Sequence, residues 1–427
     1  MWKRKVVHGW CSAMIVAGML CSAETIRKEK REVDIWKDDE GENQVEGLAV
    51  NLSNGDSVID INRMPRVLNF FPVPFVEECR ARDGRRRGIC MNTYECRIQG
   101  GNSHGFCALG FGVCCIFTAT CNQQVINNLT YFANPDYPDF TTGMSTCQLS
   151  IRKVSQDVSQ IRLDFIHFNL GQPNRNTGEC EQDIFYMTAP TSTRELKICG
   201  MNSGQHVYFD VENLEYDIEI NMTLGRKAVT RFWEVLVTQI PFTERAPVGC
   251  LQYHQGSTGI VQTMNFADNG RHLADQDYNI CIRQELDMCS IIYEPCHENA
   301  FRIAPNTEDE DENDEEDSEA DTNVEEGSGT DDTEETMRAL DLCNDKIVLP
   351  CDSEDLVMPE MLGMTPSTCS LTHCGSTLCP SGNSPCRIES SITPFTIGVH
   401  FGHSVKETSP EENLGMCLTY EQMPCVT

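Results

Sequence analysis

Twenty-four cysteines in 427 residues constrain this chain more than any other feature. Cys11 and Cys21 fall within the first 23 residues, and the remaining 22 are an even number. That count fits a disulfide framework and an oxidising compartment. Repeated C-x2-C pairs, which a zinc protein would carry, are absent. The leader agrees with the compartment. Lys3-Arg4-Lys5 is basic, Met14 to Leu20 is mostly apolar, and Cys21-Ser22-Ala23 offers small residues before a cut, so residues 1–23 read as a secretory signal peptide. The apolar run is too short to span a bilayer, no later run of about 18 apolar residues occurs, and no apolar tail suggests a lipid anchor. The expected mature chain is secreted and extracellular.

Period-two patterning sets the secondary structure. In Tyr216 to Leu224, Ile218, Ile220, Met222 and Leu224 alternate with Asp217, Glu219, Asn221 and Thr223. Ile161 to Phe165 repeats the pattern. Such segments are strands with one buried and one wet face, and several in series predict a mainly β chain built from antiparallel sandwiches. A length of 427 residues predicts two or three domains.

The net charge is −32, which argues against nucleic acid as a partner. Residues 308–335 hold 17 Asp and Glu with no Lys or Arg, and removing those 17 charges leaves −15. This run predicts a disordered insert at about 304–340, tolerated as an exposed loop. Residues 24–78 read as a flexible polar arm, in which Lys28 to Arg31 has the form of a dibasic processing site. Asn51, Asn128 and Asn221 head glycosylation sequons, and Asn221 lies on the polar face of its strand. Ser328, in Glu325-Glu-Gly-Ser-Gly329, resembles a glycosaminoglycan attachment site.

Cys79 to Cys115 holds six cysteines and seven glycines in under 40 residues, too few for a core, so its disulfides must supply the constraint. Gly88 to Cys96 and the closing Gly112-Val-Cys-Cys115 resemble the clip domains of arthropod extracellular proteases. The resemblance implies the pairs Cys79–Cys114, Cys90–Cys107 and Cys96–Cys115. An unrelated small knot is the alternative reading.

The next stretch, 116–245, resembles a CUB domain. Asn134-Pro-Asp-Tyr-Pro138, the step Cys180-Glu-Gln-Asp183 and Cys199-Gly200 carry the likeness. It implies bridges Cys121–Cys147 and Cys180–Cys199. Residues 246–427 resemble a second, divergent copy. Cys296 to Ile303 echoes Cys180 to Met187, and His373-Cys-Gly375 echoes Ile198-Cys-Gly200. The internal comparison implies Cys250–Cys281 and Cys296–Cys374. Eight cysteines, 289, 343, 351, 369, 379, 386, 417 and 425, stay unassigned. The order of modules, together with Arg271 to Arg283, resembles a set of secreted arthropod CUB proteins with a six-cysteine N-terminal unit.

Catalytic signatures are incomplete. Gly101-Asn-Ser-His-Gly105 matches the nucleophile-elbow pattern at Ser103, but an elbow needs a strand before it and a helix after it. Gly55-Asp-Ser57 lacks the Gly-Gly-Pro that follows a trypsin-like serine, and no H-E-x-x-H occurs. His400 and His403 lie near a predicted strand end and are close enough in sequence to share a site.

Calcium is the cofactor the CUB likeness raises, since many such domains bind it through several carboxylates. Asp183 matches the first acid; Gly171 stands at the second, Thr223-Leu224 at the third, and Asn299 replaces the first in the second copy. The expected metal site at Asp183 is therefore incomplete, and the competing role for Asp183 is a turn or surface residue. The chain reads as a non-enzymatic recognition protein for extracellular proteins or glycans. The alternatives are a regulator of a clip-protease cascade, a matrix component modified at Ser328 and an enzyme using Ser103.

Overall fold

The structure, a computed structural model, describes residues 78–425 except 189–195, 213, 215–216, 226–229, 268–269, 305–342, 351–370, 380–384 and 404–408. The signal peptide, the arm up to residue 77, Asn51, the acidic insert from residue 305 and Ser328 lie outside the described residues, whereas Glu78, expected to end the arm, is the first residue of a strand.

The fold is mainly β. The six-cysteine module supplies β1 (Glu78–Arg80), β2 (Arg87–Met91), a short helix α1 (Thr93–Ile98), β3 (Asn102–Cys107) and β4 (Gly112–Ala119). The first sandwich follows with β5 (Gln123–Val125), β6 (Thr130–Ala133), β7 (Thr146–Ile151), β8 (Val158–Asn169), β9 (Asp183–Thr188), β10 (Leu196–Ile198), β11 (His206–Asp210), β12 (Ile218–Leu224) and β13 (Phe232–Pro241). The second contains β14 (Cys250–His254), β15 (Thr258–Gln262), β16 (Gln276–Ile282), β17 (Met288–Pro295), β18 (Phe301–Arg302), β19 (Lys346–Val348), β20 (Thr372–His373), β21 (Ile388–Ser390), β22 (Phe395–Phe401) and β23 (Gly415–Pro424).

In the first sandwich, a sheet ordered β10-β9-β12-β7-β5 faces the strands β6-β13-β8-β11. β12 is central, and its residues alternate as read: Ile218, Ile220, Met222 and Leu224 are all buried. They meet Phe165, Phe168 and Phe185, whose rings contact one another at centroid distances of 4.7–5.9 Å. The second sandwich opposes β14-β16-β22-β19-β20 to β15-β23-β17-β21, with β18 against β23. Most pairs are antiparallel; β4–β6, β5–β7 and β14–β16 are parallel.

The boundary expected between residues 115 and 116 falls inside β4. The half of β4 carrying Cys114 and Cys115 pairs with β2, and its last residues pair in parallel with β6, Phe117 with Thr130 through Ala119 with Phe132. Module and first sandwich thus share one eight-stranded sheet, β1-β2-β4-β6-β13-β8-β11 with β3 on β4. Side chains seal the junction. Ala81, Cys114 and Ile116 pack with Leu129, Tyr131 and Leu236. The Tyr131 hydroxyl accepts from Arg87 N at 2.6 Å, and Arg86 forms a 2.6 Å ion pair with the nearly buried Glu234.

Ten disulfides join described residues. Cys79–Cys114, Cys90–Cys107, Cys96–Cys115, Cys121–Cys147, Cys180–Cys199 and Cys250–Cys281 are bonded. The expected Cys296–Cys374 pair needs correction. Cys296 bonds Cys417 and Cys374 bonds Cys343. The reason is register. Pro295 on β17 lies opposite Leu418 on β23, which brings Cys296 to Cys417 on the neighbouring strand. Cys343 precedes β19 and Cys374 follows β20, and the antiparallel pairing of Ile347 with His373 brings them together. Cys289–Cys425 and Cys379–Cys386 use four of the unassigned cysteines.

One apolar cluster runs through both sandwiches. Between them, Asn265 Oδ1 accepts from Met201 N at 2.8 Å while Asn265 N donates to Asn202 Oδ1 at 2.7 Å. Ala274 N donates to Gly178 O at 3.0 Å and Gln276 Nε2 to Lys197 O at 3.0 Å. Gly200 is pressed into this seam at φ 76°, and a β-carbon there would collide with the Asn265 carboxamide. Gly200→Ala is expected to cost well over 1 kcal/mol, through both backbone strain and the lost Asn265 contacts. A lowered thermal midpoint measures it.

Candidate functional site

Asp183 opens β9 and Arg231 immediately precedes β13, where Thr141 and Arg231 form an isolated bridge. Their side chains are 0% and 1% exposed. The guanidinium grips the carboxylate in bidentate fashion, Nε to Oδ2 at 2.7 Å and Nη2 to Oδ1 at 2.8 Å. Gly171 N donates to Oδ2 at 2.7 Å, and Gly225 N to Oδ1 at 2.9 Å. Arg231 Nη2 also donates to Gly225 O at 2.6 Å. Four donors satisfy the carboxylate, the arrangement that makes a buried charge tolerable. Burial pushes the Asp183 carboxyl up, but Arg231 and the two glycine amides outweigh it and hold the group below its usual range.

This geometry replaces both expected roles of Asp183. It is neither a turn nor a surface residue, because it is fully enclosed. The residues do not fit a calcium ion either. Arg231 already supplies the positive charge at the carboxylate, and a cation brought there would meet a guanidinium. Gly171 follows from the same packing, since a β-carbon at that position would sit 3.0 Å from Asp183 Cγ and Oδ2. A Glu side chain therefore has no place beside the ion pair.

The second sandwich also carries an internal polar centre, made of Arg271, His272, Asp345 and Asn413, all at most 3% exposed. His272 Nε2 lies 3.2 Å from Asn413 Oδ1 and 3.6 Å from Asp345 Oδ2, and Gly402 N donates to Asp345 Oδ1 at 2.7 Å. Burial, reinforced by Arg271, lowers His272 to about 4. Asn299, expected to mark a first-acid position, instead accepts from Arg302 Nη2 at 2.5 Å.

A third cluster lies where β11 meets β14. The rings of His206 and His254 are 4.8 Å apart, and His206 Nε2 faces the backbone of Tyr253, 2.9 Å from its carbonyl oxygen. Arg162 stands beside them, paired with Asp164 at 2.6 Å and bonded to the Tyr208 hydroxyl at 2.8 Å. Burial, with Arg162 adding to it, lowers His206 to about 3 and His254 to about 4.

The remaining sequence candidates are dispersed. Ser103 lies on exposed β3, which turns back into β4 as a hairpin, so the strand-to-helix elbow is not formed. His400 faces Asp277 at 2.8 Å, whereas His403 faces Asp275 and Glu179 at 3.4 and 3.6 Å, so the two share no carboxylate. Asn221 sits on the outward face of β12 between Gln148 and Tyr186. Asn128 Oδ1 accepts from Leu129 N and Gln239 N at 2.8 and 2.7 Å. Sequence reasoning missed Arg231 and Arg271, because a buried arginine leaves the same mark in a sequence as a solvated one.

The described residues thus form two disulfide-bonded β-sandwiches, each enclosing buried charged side chains. Residues 247–423 match the family model described as the animal CUB domain. The match falls on the second sandwich, the copy read as divergent. Similar solved structures are the CUB1-EGF-CUB2 domains of rat MASP-1, at 12% identity over 71% of this chain and 99% of that one, TM-score 0.23. The CUB1-EGF-CUB2 domain of human MASP-1/3 is 14% identical over 70% and 100%, TM-score 0.23. The full extracellular region of zebrafish Gpr126/Adgrg6 is 11% identical over 70% of this chain and 36% of that one, TM-score 0.24. No curated protein matches the chain. A CUB domain is generally a protein-interaction module. Among the described residues, no helix is long and apolar enough to cross a membrane. The CUB match and the many disulfides fit an extracellular protein.

Proposed function

We propose that this chain is a secreted, non-enzymatic recognition protein that binds extracellular proteins or glycans through the loops and outer faces of its sandwiches. In the first sandwich this binding uses no calcium. The Asp183–Arg231 pair carries the calcium-free part of the reading, because it puts a fixed internal cation where the CUB likeness of residues 116–245 puts a metal. Asp183 is thereby enclosed with its own countercharge, and partner contacts fall to surface side chains. The animal CUB match and the disulfide-locked frame support the extracellular interaction role.

Affinity capture from extracellular fluid tests it. The full chain is expected to retain the same proteins or glycoproteins with calcium as with a chelator. Capture by the first sandwich that is lost on chelation overturns the calcium-free reading.

A further inference from the structure

Three of the four most exposed large hydrophobic side chains among the described residues sit on one turn. Leu109 is 99% exposed, Phe106 83% and Phe111 70%. The turn joins β3 to β4 and is clamped at its base by Cys90–Cys107, with the β-carbon position of Gly112 only 3.0 and 3.1 Å from the two sulfurs. Its backbone is costly. Ala108 and Leu109 have φ of 47° and 56°, a region that residues with a β-carbon avoid. Gly or Asn at position 109 would relieve that cost and spare the exposed leucine. A rigid, strained turn presenting three apolar side chains to water has the form of a docking element.

The neighbouring hairpin is basic. Arg82 N donates to His104 O at 2.8 Å, and Arg82 Cβ lies 3.5 Å from the β-carbon position of Gly105, next to Phe106. Arg80, Arg82 and Arg85 are exposed, whereas Arg86 and Arg87 are engaged by Glu234 and Glu78. Residues 78–112 hold six Arg against three acids, in a chain of net charge −32. This is a basic island beside an apolar knob.

We propose that the Phe106–Phe111 turn and the Arg80–Arg85 hairpin form one docking surface for an acidic protein segment. Large apolar side chains of that segment cover Phe106, Leu109 and Phe111, and its carboxylates pair with Arg80, Arg82 and Arg85. The surface rests on the reading of the chain as an extracellular interaction protein. A sulfated glycan satisfies the arginines but offers nothing to the phenylalanines and leucine. An anionic bilayer is opposed by the negative charge of the rest of the chain.

The test is fluorescence anisotropy of a short labelled peptide alternating Glu with Phe and Leu, titrated with the full chain. Binding that weakens as salt rises is expected. Peptides with Gln for Glu, or Ala for Phe and Leu, are expected to bind about tenfold more weakly or worse. Leu109→Asn and the triple variant Arg80→Gln/Arg82→Gln/Arg85→Gln are each expected to lose about tenfold in affinity. Asn accepts the left-handed backbone, so Leu109→Asn is expected to melt no lower than the parent; a merely structural role for Leu109 predicts no loss of binding. No binding of the parent peptide, or unchanged affinity in both variants, overturns the surface. Heparin or phosphatidylserine vesicles bound more tightly than the peptide, with the same dependence on Leu109 and the arginines, also overturn it. Extracellular capture that survives both variants removes this surface while leaving the broader reading intact.

Discussion

Arg231→Leu is expected to destabilise the chain by about 3–5 kcal/mol, the usual cost of stripping one partner from a buried ion pair. The variant leaves the Asp183 carboxylate enclosed, still held by the amides of Gly171 and Gly225 but without its countercharge. Asp183→Leu alone is expected to cost a similar amount by stranding the guanidinium. The double variant Asp183→Leu/Arg231→Leu is expected to lose much less than the two single losses combined, because both charges leave together. Denaturant melts of the four proteins close the cycle, and a strictly additive double variant contradicts the coupling. The pair also carries a pH signature. Asp183 has its folded value depressed, so its contribution is present above the unfolded value near 3.9 and is lost as pH falls through the lower folded one.

A second large effect is expected on mild acidification. His206, His254 and His272 are held neutral in the fold down to about 3, 4 and 4, against about 6.5 when unfolded. Between those values the unfolded chain binds more protons, so stability falls as pH drops below about 6.5. Each histidine contributes on the order of 3 kcal/mol, and His206 and His254 are neighbours whose contributions overlap. Asp345 acts in the opposite sense at the lower end, because burial pushes its folded carboxyl up. A thermal midpoint lower by roughly 10 °C at pH 4.5 than at pH 6.5 is expected. His206→Gln and His254→Gln are expected to flatten the curve, and an unchanged slope in both removes this account.

The scaffold was legible because period-two alternation and turn chemistry are local. Ile218 to Leu224 announces its buried face in seven residues, without help from its neighbours in the sheet. The continuity of β4 was hidden because a cysteine-rich segment and an alternating one look like separate modules, and nothing local reports parallel pairing with β6. Echo with the first sandwich points Cys296 to Cys374, yet its partner is set by the register of β17 against β23, across an insertion. The candidate site was half legible. Gly171 in place of an acid signalled a departure from metal binding. The residue that took over, Arg231, lies 48 positions from Asp183, and only the folded chain brings it there.

The shared strand β4 has a mechanical consequence. A linker between module and sandwich would swing; an unbroken strand paired with β2 and β3 at one end and with β6 at the other does not. Tension entering at Cys114 and Cys115 crosses into the first sandwich as shear on the β4–β6 ladder, spread over several peptide bonds. The Phe106–Phe111 knob is then the end of a bracket whose bearing is fixed by the fold, and anything docked there is held at one angle to the sandwich.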